Sequence, residues 1–310
     1  MQSQIEYLNA RFAIEGHVYF DSEPEGLVAA VIENNCASAR MTLAGGHVMR
    51  YSPRGQDGTP GTPVLWVSPN AHYIVGKAMR GGAPICWPWF GPHPTDPERH
   101  PLHGLVRQML WDVTGTRALA DGATEVAMRT AATPQTLEQW PHTFELEIRA
   151  VFGAQLLLEW TVRNTGSEPF CYTGAIHPYY VVSDAYDISI HGLENTDYMD
   201  KNANFERKTQ PGSPIRVDGP IDRVYIDTVN EVVIDDPGLR RKLHISKTGS
   251  RTTVVWNPYH ADALMDDVGK GQHRNFVCAE AANALEDAVT VAPGAEARMS
   301  MQIWSEEYEP

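Results

Sequence analysis

Basic residues are in short supply along this 310-residue chain. Lysine and arginine number 25 against 39 aspartates and glutamates, which leaves a formal net charge of −14. A field of this sign repels polyanions, so the sequence predicts that neither nucleic acid nor an anionic membrane is a partner. An anionic small substrate would have to be held against this field by a few local arginines.

Cysteines and long apolar runs are also scarce. Cys36, Cys86, Cys171 and Cys278 form no C-x-x-C pair and are too few for a disulfide framework. The longest aliphatic run, Leu27–Ile32, is far shorter than the roughly 20 residues that a membrane helix needs. The N-terminal residues do not resemble an export signal either. A reducing cytoplasm is therefore the predicted location.

Several catalytic motifs are missing. The chain has no G-x-S-x-G, H-E-x-x-H or G-x-x-x-x-G-K-[ST] motif, and Gly269 and Gly271 lack a third glycine in register. These absences remove support for elbow-type serine hydrolases, zincins, P-loop NTPases and Rossmann dehydrogenases. His100 and His103 have a spacing that could serve a metal, but the proline between them disfavours a helix and no second ligand pair exists. No metal site is predicted.

The dominant pattern along the chain has a period of two. Apolar and polar residues alternate over Phe144–Ala150 and over most of Leu156–Arg163, which predicts the two strands of a hairpin with one face turned inward. The same alternation over Arg298–Ile303, after a Pro-Gly turn, predicts a closing strand. Further short strands are predicted at Leu27–Ile32, Ser38–Leu43, Val64–Val67, Glu125–Arg129, Asp187–Ile190, Glu231–Ile234 and Thr252–Trp256.

Helical signals are few. Thr133–Trp140 is predicted as a short helix, with Thr133 as N-cap and Pro134 at the first helical position, and Met265–Gly269 as a single turn. No segment carries a sustained apolar stripe with a period of 3.6 residues. The 22 prolines and 25 glycines punctuate the chain without a linker that would mark a boundary. The sequence therefore predicts an all-β fold, one large antiparallel β-sandwich domain over residues 1–310.

The segment Arg80–Pro92 has an unusual composition. It holds three aromatic residues, three prolines and three glycines, which is too rigid for a helix and too rich in proline for a central strand. A structured loop is therefore predicted. Its paired tryptophans, Trp87 and Trp89, suit the apolar face of a sugar ring. On composition alone, packing of both tryptophans into the end of the sandwich is an equal alternative.

Three further segments carry residues suited to proton transfer. His103 lies in Pro101–Arg107 and His177 lies in Gly174–Tyr180, each beside a glycine or proline that is typical of a strand end. Glu280 ends a short apolar segment, where partial burial would raise the pKa of its carboxyl toward the range useful for proton transfer. Each of these residues alone is more often structural, so they carry weight only together.

Six short motifs follow one another along the chain. They are R-G-G-x-P-x-C-W-P-W-F-G at Arg80–Gly91, H-G-L-x-R at His103–Arg107, H-x-Y at His177–Tyr179, I-D-R-V-Y at Ile221–Tyr225, V-V-W-N-P at Val254–Pro258 and C-x-E at Cys278–Glu280. In this order they resemble the hexose-6-phosphate mutarotases, the glucose-6-phosphate 1-epimerases that form a branch of the aldose 1-epimerase group. The resemblance covers residues 25 to 305, and the tryptophan–proline loop is its specific part.

The resemblance implies a galactose mutarotase-like β-supersandwich whose concave sheet carries the site. The chain departs from the family pattern at Leu102, where the family often has glutamine, so the identity of the phosphosugar stays open. The resemblance assigns His177 and Glu280 as the catalytic histidine and carboxylate, His103 as a second active-site histidine, Arg80 and Arg107 as phosphate ligands and Asp222 as a sugar-binding acid.

The chemistry of anomer exchange needs one acid and one base. The proton of the C1 hydroxyl must be removed while the ring oxygen gains one, so that the C1–O5 bond opens, the aldehyde rotates and the ring closes again. We assign Glu280 as the base, protonated His177 as the acid, and His103 as a hydrogen-bond donor near C1. Because nothing is oxidised and no group leaves, no cofactor is expected.

A phosphate at C6 would explain two arginines in an acidic protein. Arg80 and Arg107 could each bind it through charge-assisted hydrogen bonds, the alternative being that they pair with carboxylates such as Asp96 or Glu98. The predicted function is therefore a hexose-6-phosphate 1-epimerase, acting as a monomer on a small sugar phosphate. The alternatives are an aldose 1-epimerase for unphosphorylated sugar, a noncatalytic carbohydrate-binding protein, and a polysaccharide-processing enzyme on a similar sandwich.

Overall fold

The computed structural model describes residues 1–55 and 57–308. Within these ranges the α-helices are α1 (Gln2–Phe12) and α2 (Pro134–Gln139). Short 3₁₀ turns lie at Pro24–Gly26, Val106–Gln108, Lys201–Ala203, Tyr259–Leu264, Gln272–Arg274 and Leu285–Asp287. The strands are β1 (Val18–Ser22), β2 (Val28–Glu33), β3 (Ala37–Thr42), β4 (His47–Pro53), β5 (Ile85–Cys86), β6 (Asp112–Ala118), β7 (Thr124–Ala131), β8 (Phe144–Phe152), β9 (Leu156–Asn164), β10 (Phe170–Tyr172), β11 (Gly174–Ile176), β12 (Tyr179–Val181), β13 (Ser189–His191), β14 (Asp197–Asp200), β15 (Glu206–Thr209), β16 (Ile221–Tyr225), β17 (Val232–Asp236), β18 (Arg241–Thr248), β19 (Thr252–Asn257), β20 (Phe276–Asn283), β21 (Val289–Val291) and β22 (Glu296–Glu307).

Two large sheets dominate the described residues, and their strands pair antiparallel. The first, here called the support sheet, has eight strands in the order β13-β17-β18-β22-β9-β8-β7-β6. The second, here called the cleft sheet, runs β15-β14-β16-β19-β20-β11-β5, and β12 pairs with β20 beside this path. A four-stranded sheet, β1-β2-β3-β4, and a two-stranded sheet, β10-β21, complete the pairings.

The inner faces of the two large sheets share one hydrophobic core. On β8, alternate residues from Phe144 to Phe152 are buried and their neighbours are half-exposed. On β20, Val277, Ala279 and Ala281 belong to the same core cluster as these residues. Two sheets that bury their apolar faces against each other define a sandwich. The predicted all-β antiparallel sandwich is confirmed, and its extent as one domain over residues 1–310 stays a prediction.

Most of the predicted elements are confirmed. β8 and β9 form the predicted hairpin, and β22 closes the support sheet between β18 and β9. α2 follows Thr133, whose hydroxyl accepts a hydrogen bond from the Thr136 N–H at 3.2 Å as the N-cap. The turn predicted at Met265–Gly269 is closed by a hydrogen bond between its first carbonyl and last N–H. Six of the seven further strands form within two residues of their predicted ends.

Two local predictions are wrong within the described ranges. In the segment 64–67, Leu65 and Val67 form isolated bridges, to Tyr180 and Gly81 respectively. Because each pairs with a different segment, no continuous ladder forms. The expectation of only two helical segments misses α1. This helix buries only Ile5 and Leu8, which is too few apolar contacts to leave a stripe in the sequence.

The register of the cleft sheet brings the two predicted catalytic residues together. β11 pairs with β20 so that Ala175 lies opposite Ala282, and β12 continues the same register farther along β20. The intervening His177 therefore faces Glu280, although 103 positions separate them in the chain. Successive residues of β20 point to opposite faces, so Glu280 points away from the core that Ala279 and Ala281 enter.

Neighbouring strands add further side chains to this face. In β19, Val254 lies opposite Glu280, and in β16, Asp222 lies opposite Trp256 of β19. Because cross-strand partners share a face, Asp222, Trp256 and Glu280 project to the same side. The outer face of the cleft sheet therefore carries a compact group of polar and aromatic side chains.

Candidate active site

A cleft opens on this outer face of the cleft sheet. The cavity measures about 230 Å³, just below the roughly 300–1,000 Å³ of typical small-molecule sites. Larger cavities beside α1 and beside Arg241 contain no histidine–carboxylate pair among their described lining residues. Six residues of the predicted site line the cleft: Arg80, His103, Arg107, His177, Asp222 and Glu280.

His177 and Glu280 meet at the floor of the cleft. The imidazole Nε2 lies 3.3 Å from the carboxyl Oε1, and the two residues are only 6% and 1% exposed. The second carboxyl oxygen, Oε2, and the imidazole Nδ1 are buried without a hydrogen-bond partner. Buried polar groups are normally paired. The two unpaired atoms therefore mark this pair as a place where a ligand can bind.

Burial sets the protonation of this pair. It raises the pKa of Glu280 well above its ordinary value, opposed by the charge of Lys201 and reinforced by Asp222, which confirms the expected direction. Burial also lowers the pKa of His177 well below its ordinary value, and the charges of Arg80 and Arg107 lower it further. Burial therefore favours a protonated carboxyl and a neutral imidazole. The roles assigned from sequence, with Glu280 as the base and protonated His177 as the acid, stay a prediction.

His103 is fixed at the cleft rim by backbone contacts. The Gly91 N–H donates to its Nδ1 at 3.1 Å, and the His103 N–H donates to the Gly91 carbonyl at 2.7 Å. Since Nδ1 accepts, the proton of the neutral ring lies on Nε2. Burial, followed by the charges of Arg107 and His177, lowers the pKa of His103 well below its ordinary value. His103 is therefore a neutral hydrogen-bond donor through Nε2.

The local chain path at His103 requires a specific neighbour. His103 has φ of 61° and Gly104 has φ of 76°, two successive left-handed residues. A Cβ at Gly104 would lie 2.0 Å from the carbonyl oxygen of Trp87, so no other residue fits between these segments. This contact explains why the tryptophan–proline loop and the H-G-L motif occur together.

The two arginines have different partners. Arg80 donates from Nε and Nη2 to the carboxylate of Asp267 at 3.0 and 3.3 Å, and from Nη1 to the Tyr179 hydroxyl at 3.0 Å. Its carboxylate partner is thus neither Asp96 nor Glu98. Arg107 donates from Nη2 to the Leu102 carbonyl at 2.6 Å, and its Nε is buried without a partner. Both guanidinium groups border the cleft, and the charge of Arg80 is already balanced.

A lysine that the sequence analysis did not single out also borders the cleft. Lys201, in the 3₁₀ turn after β14, lies with Nζ 2.8 Å from Oδ2 of Asp222. The other carboxylate oxygen of Asp222, Oδ1, is buried without a partner. Burial raises the pKa of Asp222, and the charge of Lys201 opposes this rise. Asp222 therefore retains one free acceptor for a ligand.

The structure does not place the paired tryptophans in the cleft. Trp87 is fully buried and packs against Trp140 and Phe144, with ring centroids 5.0 and 4.5 Å away. Trp89 is 3% exposed and donates from Nε1 to the Pro101 carbonyl. The platform expected from Trp87 and Trp89 is therefore corrected to a packing role, because their rings fill the sandwich end beneath the loop.

Other aromatic residues face the cleft instead. Phe90, Tyr179 and Trp256 line it, and each lies inside a motif that the sequence analysis quoted without assigning it. The quoted V-V-W-N-P motif could have indicated Trp256. Lys201 left no signal, because a lone lysine in a turn is common. Leu102 also lines the cleft and is 52% exposed, so the family's usual glutamine is replaced at the rim.

The described part of the chain holds neither a cluster of metal ligands nor a membrane-spanning helix. No group of three or more histidine, cysteine, aspartate or glutamate side chains in residues 1–55 and 57–308 could hold a metal ion. No helix in this part of the chain is long and apolar enough to cross a membrane. The four cysteines, Cys36, Cys86, Cys171 and Cys278, are free thiols.

The architecture is similar to that of solved mutarotase structures. The crystal structure of a "putative mutarotase (YeaD)" from Salmonella typhimurium matches over 99% of both chains, with 25% identity and a TM-score of 0.86. A "galactose mutarotase related enzyme" from Lactobacillus acidophilus covers 91% of this chain and 100% of its own, with 16% identity and a TM-score of 0.70. The fold is therefore that of the galactose mutarotase-like β-sandwiches.

Sequence comparison narrows this class to a family. The family model described as aldose 1-epimerase matches residues 29–304. A protein of Cenchrus ciliaris named "Putative glucose-6-phosphate 1-epimerase" is 33% identical over 288 residues, 89% of this chain and 84% of its own. A protein of the same name from Escherichia coli K12 is 30% identical over 257 residues, 83% of each chain. The chain belongs to the aldose 1-epimerase family.

Proposed function

We propose that this protein interconverts the α and β anomers of a hexose 6-phosphate, with glucose 6-phosphate as the expected substrate. The contact of 3.3 Å between the buried His177 and Glu280, on a cleft bordered by cationic side chains, carries this proposal. The names of the relatives from Cenchrus ciliaris and Escherichia coli support the phosphorylated sugar. Anomer exchange needs one acid and one base within reach of one ring carbon.

The pair performs the reaction by moving two protons. The Oε2 of ionised Glu280 accepts the proton of the C1 hydroxyl, while the Nε2–H of protonated His177 donates to the ring oxygen. The C1–O5 bond breaks and leaves an aldehyde at C1 and a hydroxyl at C5. Rotation about C1–C2 followed by the reverse transfers gives the other anomer. His103 donates from Nε2 to an oxygen near C1 and stabilises the charge that develops there.

Before these steps, burial favours a protonated Glu280 and a neutral His177. The proton that burial keeps on Glu280 must pass to His177 before the carboxylate can act as a base. Both arrangements of the pair hold one proton and have the same net charge. The Nε2 of His177 and the Oε1 of Glu280 lie 3.3 Å apart, so the proton has only a short distance to cross. The roles assigned from sequence are thus reached only after this internal transfer.

The rest of the cleft would orient the sugar phosphate. Arg107, whose Nε has no partner, and Arg80 are the proposed phosphate ligands. The free Oδ1 of Asp222 would accept a hydrogen bond from a ring hydroxyl. Phe90 and Trp256 offer the apolar surface that Trp87 and Trp89 do not. No cofactor is part of this proposal.

The cysteines and the net charge indicate the setting of the enzyme. The four free cysteines suit a reducing compartment, so we propose a cytoplasmic location. The acidic net charge supports small molecules rather than nucleic acid or membranes as partners. We propose that the chain acts as a monomer.

The activity can be tested by polarimetry. The protein is added to freshly dissolved α-glucose 6-phosphate, α-glucose and α-galactose, and optical rotation is followed against enzyme-free samples. The expected result is fast equilibration of the phosphate ester and slower or no acceleration for the free sugars. Equal acceleration of all three would favour an unphosphorylated substrate, and no acceleration would refute an epimerase. The variant Glu280→Gln, which lacks the proposed base, should lose this acceleration. Glu159→Gln, on the outward face of β9, is its matched control and should keep it.

A further inference from the structure

A chain of contacts connects Arg80 with the ring of His177. The Arg80 guanidinium donates to the Tyr179 hydroxyl at 3.0 Å while Asp267 holds its other edge. The Tyr179 ring lies parallel to the His177 imidazole, with ring centroids 4.8 Å apart and an angle of 7° between the planes. Arg80, a proposed phosphate ligand, is therefore connected through Tyr179 to His177, the proposed acid.

The ionisable and aromatic groups around His177 come from several segments of the fold. From β20, Glu280 approaches to 3.3 Å, and from the rim loop, the His103 ring lies edge-on at 5.8 Å. Tyr179 stacks on one face of the imidazole, and Trp256 of β19 lies edge-on at 6.1 Å. The charged residues that line the same cleft are Arg80, Arg107, Lys201 and Asp222.

These charges do not balance, because the proton that burial keeps on Glu280 leaves this carboxyl neutral. Asp267 neutralises Arg80 at 3.0 Å, and Asp222 neutralises Lys201 at 2.8 Å. Arg107 is held by a backbone carbonyl and has no carboxylate partner among the described residues. The positive charge of Arg107 therefore remains uncompensated in the cleft. In a buried site, where charges interact strongly, it opposes a second positive charge on His177.

We propose that the phosphate group of the substrate activates the acid: bound at Arg107 and Arg80, it offsets this positive charge and lets the proton pass from Glu280 to His177. This inference rests on the proposed function. Tyr179 is a positioning residue in this scheme, because it holds both the guanidinium that meets the phosphate and the ring that receives the proton. A free sugar that fills the same cleft leaves the proton on Glu280.

The activation step is balanced without a further reactant. The O–H bond of the Glu280 carboxyl breaks, an N–H bond forms at His177 Nε2, and the net charge of the pair is unchanged. No electron is transferred. By thermodynamic linkage, protonation of His177 strengthens phosphate binding by the same factor by which phosphate favours protonation. Burial, followed by the charges of Arg80 and Arg107, lowers the pKa of His177. This pKa should rise when a phosphate binds.

The kinetic test supplies the phosphate and the sugar as separate molecules. Conversion of α-glucose is followed with phosphite dianion added, and the rate of an enzyme-free sample with the same phosphite is subtracted. We expect phosphite to accelerate the enzymatic reaction by about tenfold, the factor that one pKa unit represents. Turnover of glucose 6-phosphate without activation of glucose by phosphite would overturn the inference alone. Absence of glucose 6-phosphate turnover would overturn the proposed function and the inference with it.

A spectroscopic test observes the proton itself. The NMR titration of the His177 imidazole is compared in the free protein, with 1,5-anhydroglucitol 6-phosphate, and with unphosphorylated 1,5-anhydroglucitol. Neither sugar analogue has an anomeric hydroxyl, so neither reacts. We expect the phosphorylated analogue to raise the pKa of His177 by about one unit or more, and the unphosphorylated analogue to leave it low. Equal titration with both analogues would contradict the inference.

Tyr179→Phe separates positioning from packing. The variant keeps the stacked ring and removes the hydroxyl that Arg80 donates to. We expect a lower kcat for glucose 6-phosphate, a smaller change in KM and a weaker activation by phosphite. Tyr180→Phe, whose hydroxyl contacts Met301 in the core, is the matched control with unchanged kinetics. An unchanged kcat and phosphite response in Tyr179→Phe would assign this residue to packing only.

Discussion

Two groups of neighbouring strands carry their ionisable residues in opposite ways. On β6–β9 of the support sheet these residues lie on the outer face, where Arg149 pairs with Glu125 at 2.6 Å. On the cleft sheet, the buried His177 and Glu280 and the partly buried Asp222 each retain a polar atom without a hydrogen-bond partner. The strands β6–β9 satisfy their charges next to water, whereas the cleft face leaves polar atoms unpaired inside the protein.

This difference has a physical cost that indicates function. A buried polar atom without a hydrogen bond costs about 1–3 kcal/mol, and a small stability margin makes such atoms rare away from sites that use them. The outer face of β6–β9 can therefore be changed with little effect on chemistry. Changes on the cleft face should remove activity and relieve the cost.

The largest expected effect is on turnover. Glu280→Gln and His177→Asn each remove one proton-transfer group, so we expect the rate of α-glucose 6-phosphate equilibration to fall by about 10²–10⁴-fold. For Glu280→Gln the unfolding temperature should stay equal or rise, because a neutral amide replaces a carboxyl whose ionised form is disfavoured by burial. Polarimetry and calorimetry check both parts. A variant that retains full turnover would show that the acid or the base is misplaced.

Replacing the buried tryptophan of the loop should affect stability rather than binding. Because Trp87 is fully buried among aromatic rings, we expect Trp87→Ala to lower the free energy of unfolding by about 3–5 kcal/mol. KM of the remaining folded enzyme should change little. Urea unfolding and steady-state kinetics test this at low temperature. A raised KM with unchanged stability would restore the sugar platform expected from the sequence.

The arginines should act on the phosphate more than on the sugar. Changing both Arg80 and Arg107 to alanine removes charge-assisted contacts of about 1.5–3 kcal/mol each. We therefore expect KM for glucose 6-phosphate to rise about 100-fold or more, with a much smaller change for free glucose. Steady-state kinetics on both sugars measure the ratio. Equal losses on both would refute the phosphate role.

The buried carboxyl should also make stability depend on pH. Because burial raises the pKa of Glu280 in the folded state above its ordinary value of 4.5, the folded protein binds the proton more tightly than the unfolded chain does. The free energy of unfolding therefore loses this contribution as pH rises from that value through the folded-state pKa. Relative to the wild type, Glu280→Gln should gain stability over this range. Urea titrations at several pH values check the direction, and a difference independent of pH would argue against a raised pKa.

The smallest effect is expected on the support sheet. Glu125 accepts hydrogen bonds from Arg149 and Arg117 at 2.6 and 3.0 Å and lies on a face open to water. Such pairs contribute about 0–1 kcal/mol, so Glu125→Gln should cost at most that amount and leave turnover unchanged. Chemical unfolding and polarimetry test it. A loss of activity would mean that the two sheets are not as independent as their charges indicate.

The sequence predicts the support sheet better than the cleft sheet. The alternation over Phe144–Ala150 is a local signal, and it appears because one face of that strand is wet. β20 is buried on both faces, so its sequence shows no alternation. Its two faces differ in function instead, since Ala279 faces the core and Glu280 faces the cleft.

The site could be predicted residue by residue but not as an arrangement. The motifs around His177 and Glu280 identify both residues, yet their meeting depends on the register of β11 and β12 against β20, which no short segment encodes. The orientation of Trp87 depends on the rings packed around it. Lys201 and Asp267 lie in turns whose position is fixed only by the assembled sandwich.

Exchange NMR on glucose 6-phosphate at equilibrium tests the central claim most directly. Magnetisation transfer between the α and β anomeric protons reports ring opening without any coupled reaction. We predict fast exchange with the wild-type protein and with Glu159→Gln, and exchange at the uncatalysed rate with Glu280→Gln. Exchange at the uncatalysed rate with the wild-type protein, or undiminished exchange with Glu280→Gln, would contradict a sugar ring opened by His177 and Glu280.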